Sequence, residues 1–161
     1  MNAEAFLPRS NSKVVTALAL GAYSIVLERL IFLVVRVFTV TRQPRGMFAG
    51  YGRWAEALDS VVLFPLVAGV VLVATIELLR LLRLPPVLQI LVAAAASCAI
   101  NGIMWPPLAI VDGPLFLLSA YAYLRWRPDS WWVALAHTIL IMFASSLPAG
   151  ISIFQHATRS A

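Results

Sequence analysis

Between Pro85-Pro86 and Pro106-Pro107 lie 19 residues, VLQILVAAAASCAINGIMW, without one charged side chain. Proline suits the first turn of a helix and is costly in its interior, so the two pairs mark where one helix starts and stops. A bilayer core of ~30 Å needs about 20 apolar residues in helical form, and this run meets that length. Inside hydrocarbon the backbone must satisfy itself, which only helices and closed barrels do. The run therefore points to an all-α, polytopic transmembrane helical bundle forming a single domain over residues 1–161.

Four further segments fit the pattern. They cover about residues 14–38, 60–79, 108–124 and 131–147, with the proline-bracketed run at 87–105 third of five. The fourth holds Asp112, Gly113 and Pro114 near its start, so WPPLAIVDGPLF reads either as an irregular entry to a full span or as a re-entrant turn. Pro148 and Gly150 are expected to loosen the chain after the fifth. Composition agrees: 61% of residues are hydrophobic, only 12% are charged, and the mean hydropathy is +0.90. Soluble domains carry about 25% charged residues, so there is too little charge here to cover a water-facing surface.

The net charge of +5 arises from twelve Lys and Arg against seven Asp and Glu. These cations stand singly or in pairs at the ends of apolar runs, as helix flanks do beside lipid headgroups. That placement argues for the lipid bilayer as partner and against nucleic acid. With five crossings, Arg9, Lys13, Arg80, Arg83, Arg125 and Arg127 share one side, while Arg42, Arg45, Arg53 and Arg159 share the other. The bias places the N-terminus in the cytoplasm, in what reads as a bacterial inner membrane. The first apolar stretch lacks a small-residue cleavage site before Glu28 and reads as a retained helix. The loop RQPRGMFAGYGRWAEALD reads as an interfacial segment. Cys98, the sole cysteine, excludes an internal disulfide and suits packing.

Ionisable residues within spans cost about 2.5–3.5 kcal/mol each by insertion scales and so need a partner or a purpose. Glu28 and Arg29 fall near the middle of the first span. They point about 100° apart and cannot pair well with each other, so they read as an inter-helix ion pair or as a carboxylate and counter-ion at a working site. Glu77 and Arg80 stand three apart on one helix face, with the acid first, which is the favourable order. They read as an interfacial pair, or with Arg83 as a polar cluster reaching inward. Asp112 belongs to the turn-like VDGP and reads as an acid at the membrane edge, or as one facing a polar cavity if the segment is re-entrant. His137 lies about two turns into the last span, among Ala134, Ile141 and Ala144. It can bond another helix, pack, or ligate a haem or chlorophyll. His156 belongs near the far surface, so the two histidines cannot share a zinc. No phosphate-binding loop, nucleophile elbow or His-Glu-x-x-His motif is present.

From Thr75 onward the order of features resembles the CAAX-protease and bacteriocin-processing (CPBP) family of intramembrane proteases. TIELLRLLRLPP stands in place of that family's Glu-Glu-x-x-x-Arg motif, and AINGIMWPP in place of its Phe-x-x-x-His. FLLSAYAYLRWRPDSWWVALAHTIL resembles its tyrosine-rich helix, turn and final His-x-x-x-Asn helix. The resemblance implies Glu77 as the base that activates water, His137 as its polarising partner and Arg80 as electrostatic support. The motifs are incomplete. Ile76 stands where a second glutamate would, Leu81 where the arginine would, Met104 or Trp105 where the first histidine would, and Ile141 where the asparagine would. A base needs its water within hydrogen-bond reach and the oxyanion needs donors. The expectation is therefore a non-catalytic accessory, assembly or regulatory subunit of a larger membrane complex, built with other membrane subunits. The alternatives are an active CPBP-type endopeptidase with a divergent site and a pigment- or haem-bearing subunit using His137.

Overall fold

The computed structural model describes residues 13–38, 52–104 and 106–158, and every regular element among them is helical. Helix α1 runs Lys13–Phe38. Helix α2, Arg53–Leu58, passes through a π-helical turn, Asp59–Leu63, into α3, Phe64–Leu81. Helix α4 is Pro86–Met104, α5 is the single turn Leu108–Val111, α6 is Gly113–Trp126, and α7 is Trp131–Thr158. The prolines act as expected at Pro86, where α4 starts. The turn before it closes in two reciprocal bonds: Leu84 N–H to the Leu79 carbonyl at 3.2 Å and Arg83 N–H to the Arg80 carbonyl at 2.9 Å. Arg83 stands at φ 57, the left-handed position that glycine usually fills in this motif.

Four stretches are long and apolar enough to cross a membrane: Lys13–Val35, Trp54–Leu81, Pro86–Ile103 and Trp131–Ser152. The protein is an integral membrane helical bundle. Two sets of contacts order it. Lys13 Nζ donates to Asp129 Oδ2 at 2.6 Å, bringing the start of α1 to the α6–α7 turn. Tyr123 and Arg127, at the end of α6, reach Glu77 near the end of α3. One end of the bundle thus holds Lys13, the 81–86 turn and the 126–131 turn, and successive helices alternate in direction from it. α5 and α6 together make the return pass, so segment four runs the length of the bundle rather than doubling back. It is broken, however. Pro114 has no N–H to give the Ile110 carbonyl, and the axis bends at Asp112.

Two boundaries differ from the sequence expectation. The second crossing begins at Arg53, well before residue 60, because the π turn lets α2 run on into α3. Part of the expected interfacial loop is therefore helix, and its residues 42–51 lie outside the described residues. The last helix does not loosen at Pro148 but continues to Thr158. In apolar surroundings an open backbone costs more than a strained helix.

The core gathers Leu72, Ile76, Phe116, Tyr123, Trp126, Ile141 and Met142. Small residues set the closest crossings. A Cβ on Gly21 would stand 2.6 Å from Ala144 Cβ and 2.8 Å from the Ile141 carbonyl, so α1 and α7 meet backbone to backbone there. Gly69 on α3 similarly admits Ile139 of α7. Outward faces carry Val15, Leu33, Val67, Leu78 and Ile103, as lipid contact demands.

Candidate functional site

The ionisable residues form two groups at different depths. The first is at the cationic end. Leu79 and Ile76 point α3 inward, which sets Glu77 at the margin, where α6 ends. Tyr123 is wholly buried, and its hydroxyl donates to Glu77 Oε1 at 2.6 Å. Arg127 Nε, one turn further along the same face of α6, donates to the same oxygen at 2.7 Å. Arg80 Nη1 donates to Glu77 Oε2 at 3.0 Å, the pair expected from the three-residue spacing. The carboxylate also holds the Arg127 guanidinium above its ordinary range, chiefly through that hydrogen bond. Both oxygens of Glu77 thus accept hydrogen bonds, Oε1 from Tyr123 and Arg127 and Oε2 from Arg80.

His137 does not join this group. Its Nδ1 meets the Val133 carbonyl of its own helix at 2.6 Å, and its ring stands edge-on to Trp126 with centroids 5.2 Å apart. Among the described residues no bond links it to Glu77 or to another helix, so the cross-helix bond open to it in the sequence is not made. The side chain of His156 lies outside the described residues, as do those of Met104 and Trp105.

The second group is deep. Counting 1.5 Å per residue, Glu28 lies about 22 Å along α1 from Lys13, and Asp112 about 21 Å along α6 from Trp126. They share one level, roughly two-thirds of the way through the bundle. Asp112 is buried and accepts from Asn101 Nδ2 of α4 at 2.7 Å. This corrects the reading of an acid at the membrane edge: the bend at Pro114 turns Asp112 inward. Glu28 meets the Ser24 hydroxyl and lies within electrostatic reach of Asp112 and Arg29. Its Oε1 is shut off from solvent and has no hydrogen-bond partner among the described residues. Arg29 is exposed, on another side of α1, and the inter-helix ion pair expected of these two residues is not formed among the described residues. Cys98, one turn before Asn101, also feels the charge of Asp112. Among the described residues, no three His, Cys, Asp or Glu side chains gather as metal ligands.

No family model, curated protein or solved structure matches the chain.

Sequence reasoning placed Glu77 beside Arg80 but missed Tyr123, Arg127 and Asn101. A signal for the first two exists: Tyr123 and Arg127 are four apart, one donor above another on one face of α6. Their partner lies 46 and 50 residues away, a distance that no local spacing encodes. Asn101 looked like one polar residue in an apolar span.

Proposed function

We propose that the protein is a non-catalytic, multi-pass membrane subunit, built on a fold resembling that of the CPBP proteases, that serves assembly or regulation of a larger membrane complex. The observation that carries this reading is the engagement of Glu77 by three donors from α3 and the end of α6. A carboxylate held by Tyr123, Arg127 and Arg80 works as a clamp between α3 and α6. The partner residues a peptidase would need at its side are replaced by Ile76, Leu81 and Ile141. Support for a docking role comes from the outer face of α4. There Ala95 and Ala99, four apart, stand exposed between Leu88, Val92 and Ile103. Small residues at that spacing let a second membrane helix approach closely. The test is purification of the tagged full chain from native membranes in mild detergent. One stoichiometric membrane partner, lost on Ala95→Leu with Ala99→Leu, is the expected result. Recovery of the chain alone, in native membranes that retain it, contradicts the reading.

A second reading, a haem- or chlorophyll-bearing subunit, draws on one observation. With Nδ1 bonded to the Val133 carbonyl, Nε2 is the nitrogen left to His137 for a ligand, the arrangement in which ligating histidines are held by their other nitrogen. A visible absorption band that disappears in His137→Ala would establish it.

A further inference from the structure

The two polar groups are joined by a stripe. Asp112, Ser119 and Tyr123 succeed one another at spacings of seven and four, which keeps them within about 20° of one line on α6. The two ends of that stripe are anchored by hydrogen bonds, Asp112 to Asn101 of α4 and Tyr123 to Glu77 of α3. Ser119, between them, therefore faces the same α3–α4 side. On α4, Ser97 stands one turn from Asn101 on the same face. Ser119 is 0% exposed and Ser97 is 3% exposed, and neither hydroxyl has a hydrogen-bond partner among the described residues.

An orphaned hydroxyl in an apolar interior costs about 1–3 kcal/mol, so two along one seam ask for a common explanation. Axial spacing supplies it. At 1.5 Å per residue, Ser97 lies about 6 Å from the level of Asn101 and Asp112. Ser119 follows about 4.5 Å further along, and Tyr123 about 6 Å beyond that. Two hydrogen bonds of about 2.8 Å through one water span about 5.6 Å. Along the axis, each step is of the size that a single bridging water with polar partners on both sides takes up, the condition for stable internal water.

We propose that the α4–α6 seam carries a file of water molecules that gives protons from the cationic end access to the buried Asp112 and Glu28 carboxyls. The file is a half-channel about 17 Å long, open toward Glu77 and closed at Asp112. Its far end supplies what Glu28 Oε1 lacks, a hydrogen-bonding neighbour. The other ionisable groups bearing on that end are Arg29 of α1 and Cys98 of α4. The ligand is water and the species exchanged is a proton. This inference is independent of whether the protein assembles with a partner.

Cys98 is the chain's only cysteine, and it sits beside Asp112, so its S–H stretch in the infrared reports on the closed end without any added label. The full chain is reconstituted in zwitterionic phospholipid nanodiscs and transferred to D₂O. Water reaching the site replaces S–H by S–D. The wild type is expected to exchange within the time of the buffer change. Ser119→Val should slow exchange at least tenfold, whereas Ser119→Thr, which keeps a hydroxyl, should exchange like wild type. An S–H band that persists in wild type, or one that exchanges equally fast in folded Ser119→Val, overturns the proposal. Should Ser119→Val not fold, Ser97→Val takes its place under the same criterion.

Discussion

Glu77, at the cationic end, accepts hydrogens from three side chains on two helices, while Glu28, deep in the bundle, leaves one oxygen without any among the described residues. The two residues have the same chemistry and sit on separate helices, α1 and α3, of one small chain. Their surroundings assign them different work. Near the headgroups a carboxylate can draw on arginines whose long stems reach back from the interface, so Glu77 gains partners at small cost and becomes part of the frame. At Glu28's depth cations are scarce. Asp112 adds a like charge, Arg29 acts only from an exposed position on another side of α1, and the one hydrogen-bonding neighbour among the described residues is the neutral Ser24. A fully satisfied polar group holds structure. A half-satisfied one in an apolar interior is retained at a cost, and it is where a function beyond packing should be sought.

The same substitution at both glutamates separates these roles. Glu77→Gln removes the charge that Arg127 and Arg80 share and should destabilise the protein by about 2–3 kcal/mol, since hydrogen bonds to charged groups contribute about 1.5–3 kcal/mol. Thermal unfolding in detergent measures this. Arg127→Ala and the double variant complete a cycle whose coupling should be about 1–2 kcal/mol, discounted because both side chains are partly exposed. Asp112→Asn keeps an oxygen for Asn101 Nδ2 and should cost about 1 kcal/mol or less. Glu28→Gln should be nearly neutral or stabilising, because removing an incompletely partnered buried acid often is. If Glu28→Gln cost as much as Glu77→Gln, the contrast between the two regions would collapse. The smallest effect is expected at Lys13→Ala. Its pair with Asp129 is exposed on the acid's side, and such pairs contribute about 0–1 kcal/mol. Salt should remove most of that difference.

The legible parts of this fold were those written locally. Pro85-Pro86 and Pro106-Pro107 bracketed α4 because proline acts on its own turn. Glu77 and Arg80 were placed together because a helix sets neighbours at three and four. The break at Asp112 was visible in Gly113-Pro114, although whether the chain then crossed or returned was not. That depended on Tyr123 reaching Glu77, a tertiary contact. Pro148 misled for the opposite reason, since local propensity argued for an ending that the apolar surroundings did not permit. The cationic end was foreseen as a charge bias, and the structure gathers Lys13, Arg80 and Arg127 there in bonds that the bias alone did not specify. The deep group was half seen. Glu28 and Asp112 each stood out as costly, but nothing in the sequence set them at one level.

The proposed function rests on Glu77 clamping α3 to α6 and taking no part in hydrolysis. Co-expression of a membrane-embedded peptide reporter with wild type and with Glu77→Gln tests it directly, with the folded amount of each variant measured alongside. The account predicts no reporter cleavage that depends on Glu77. Cleavage by wild type that is lost in an equally abundant, folded Glu77→Gln would contradict it.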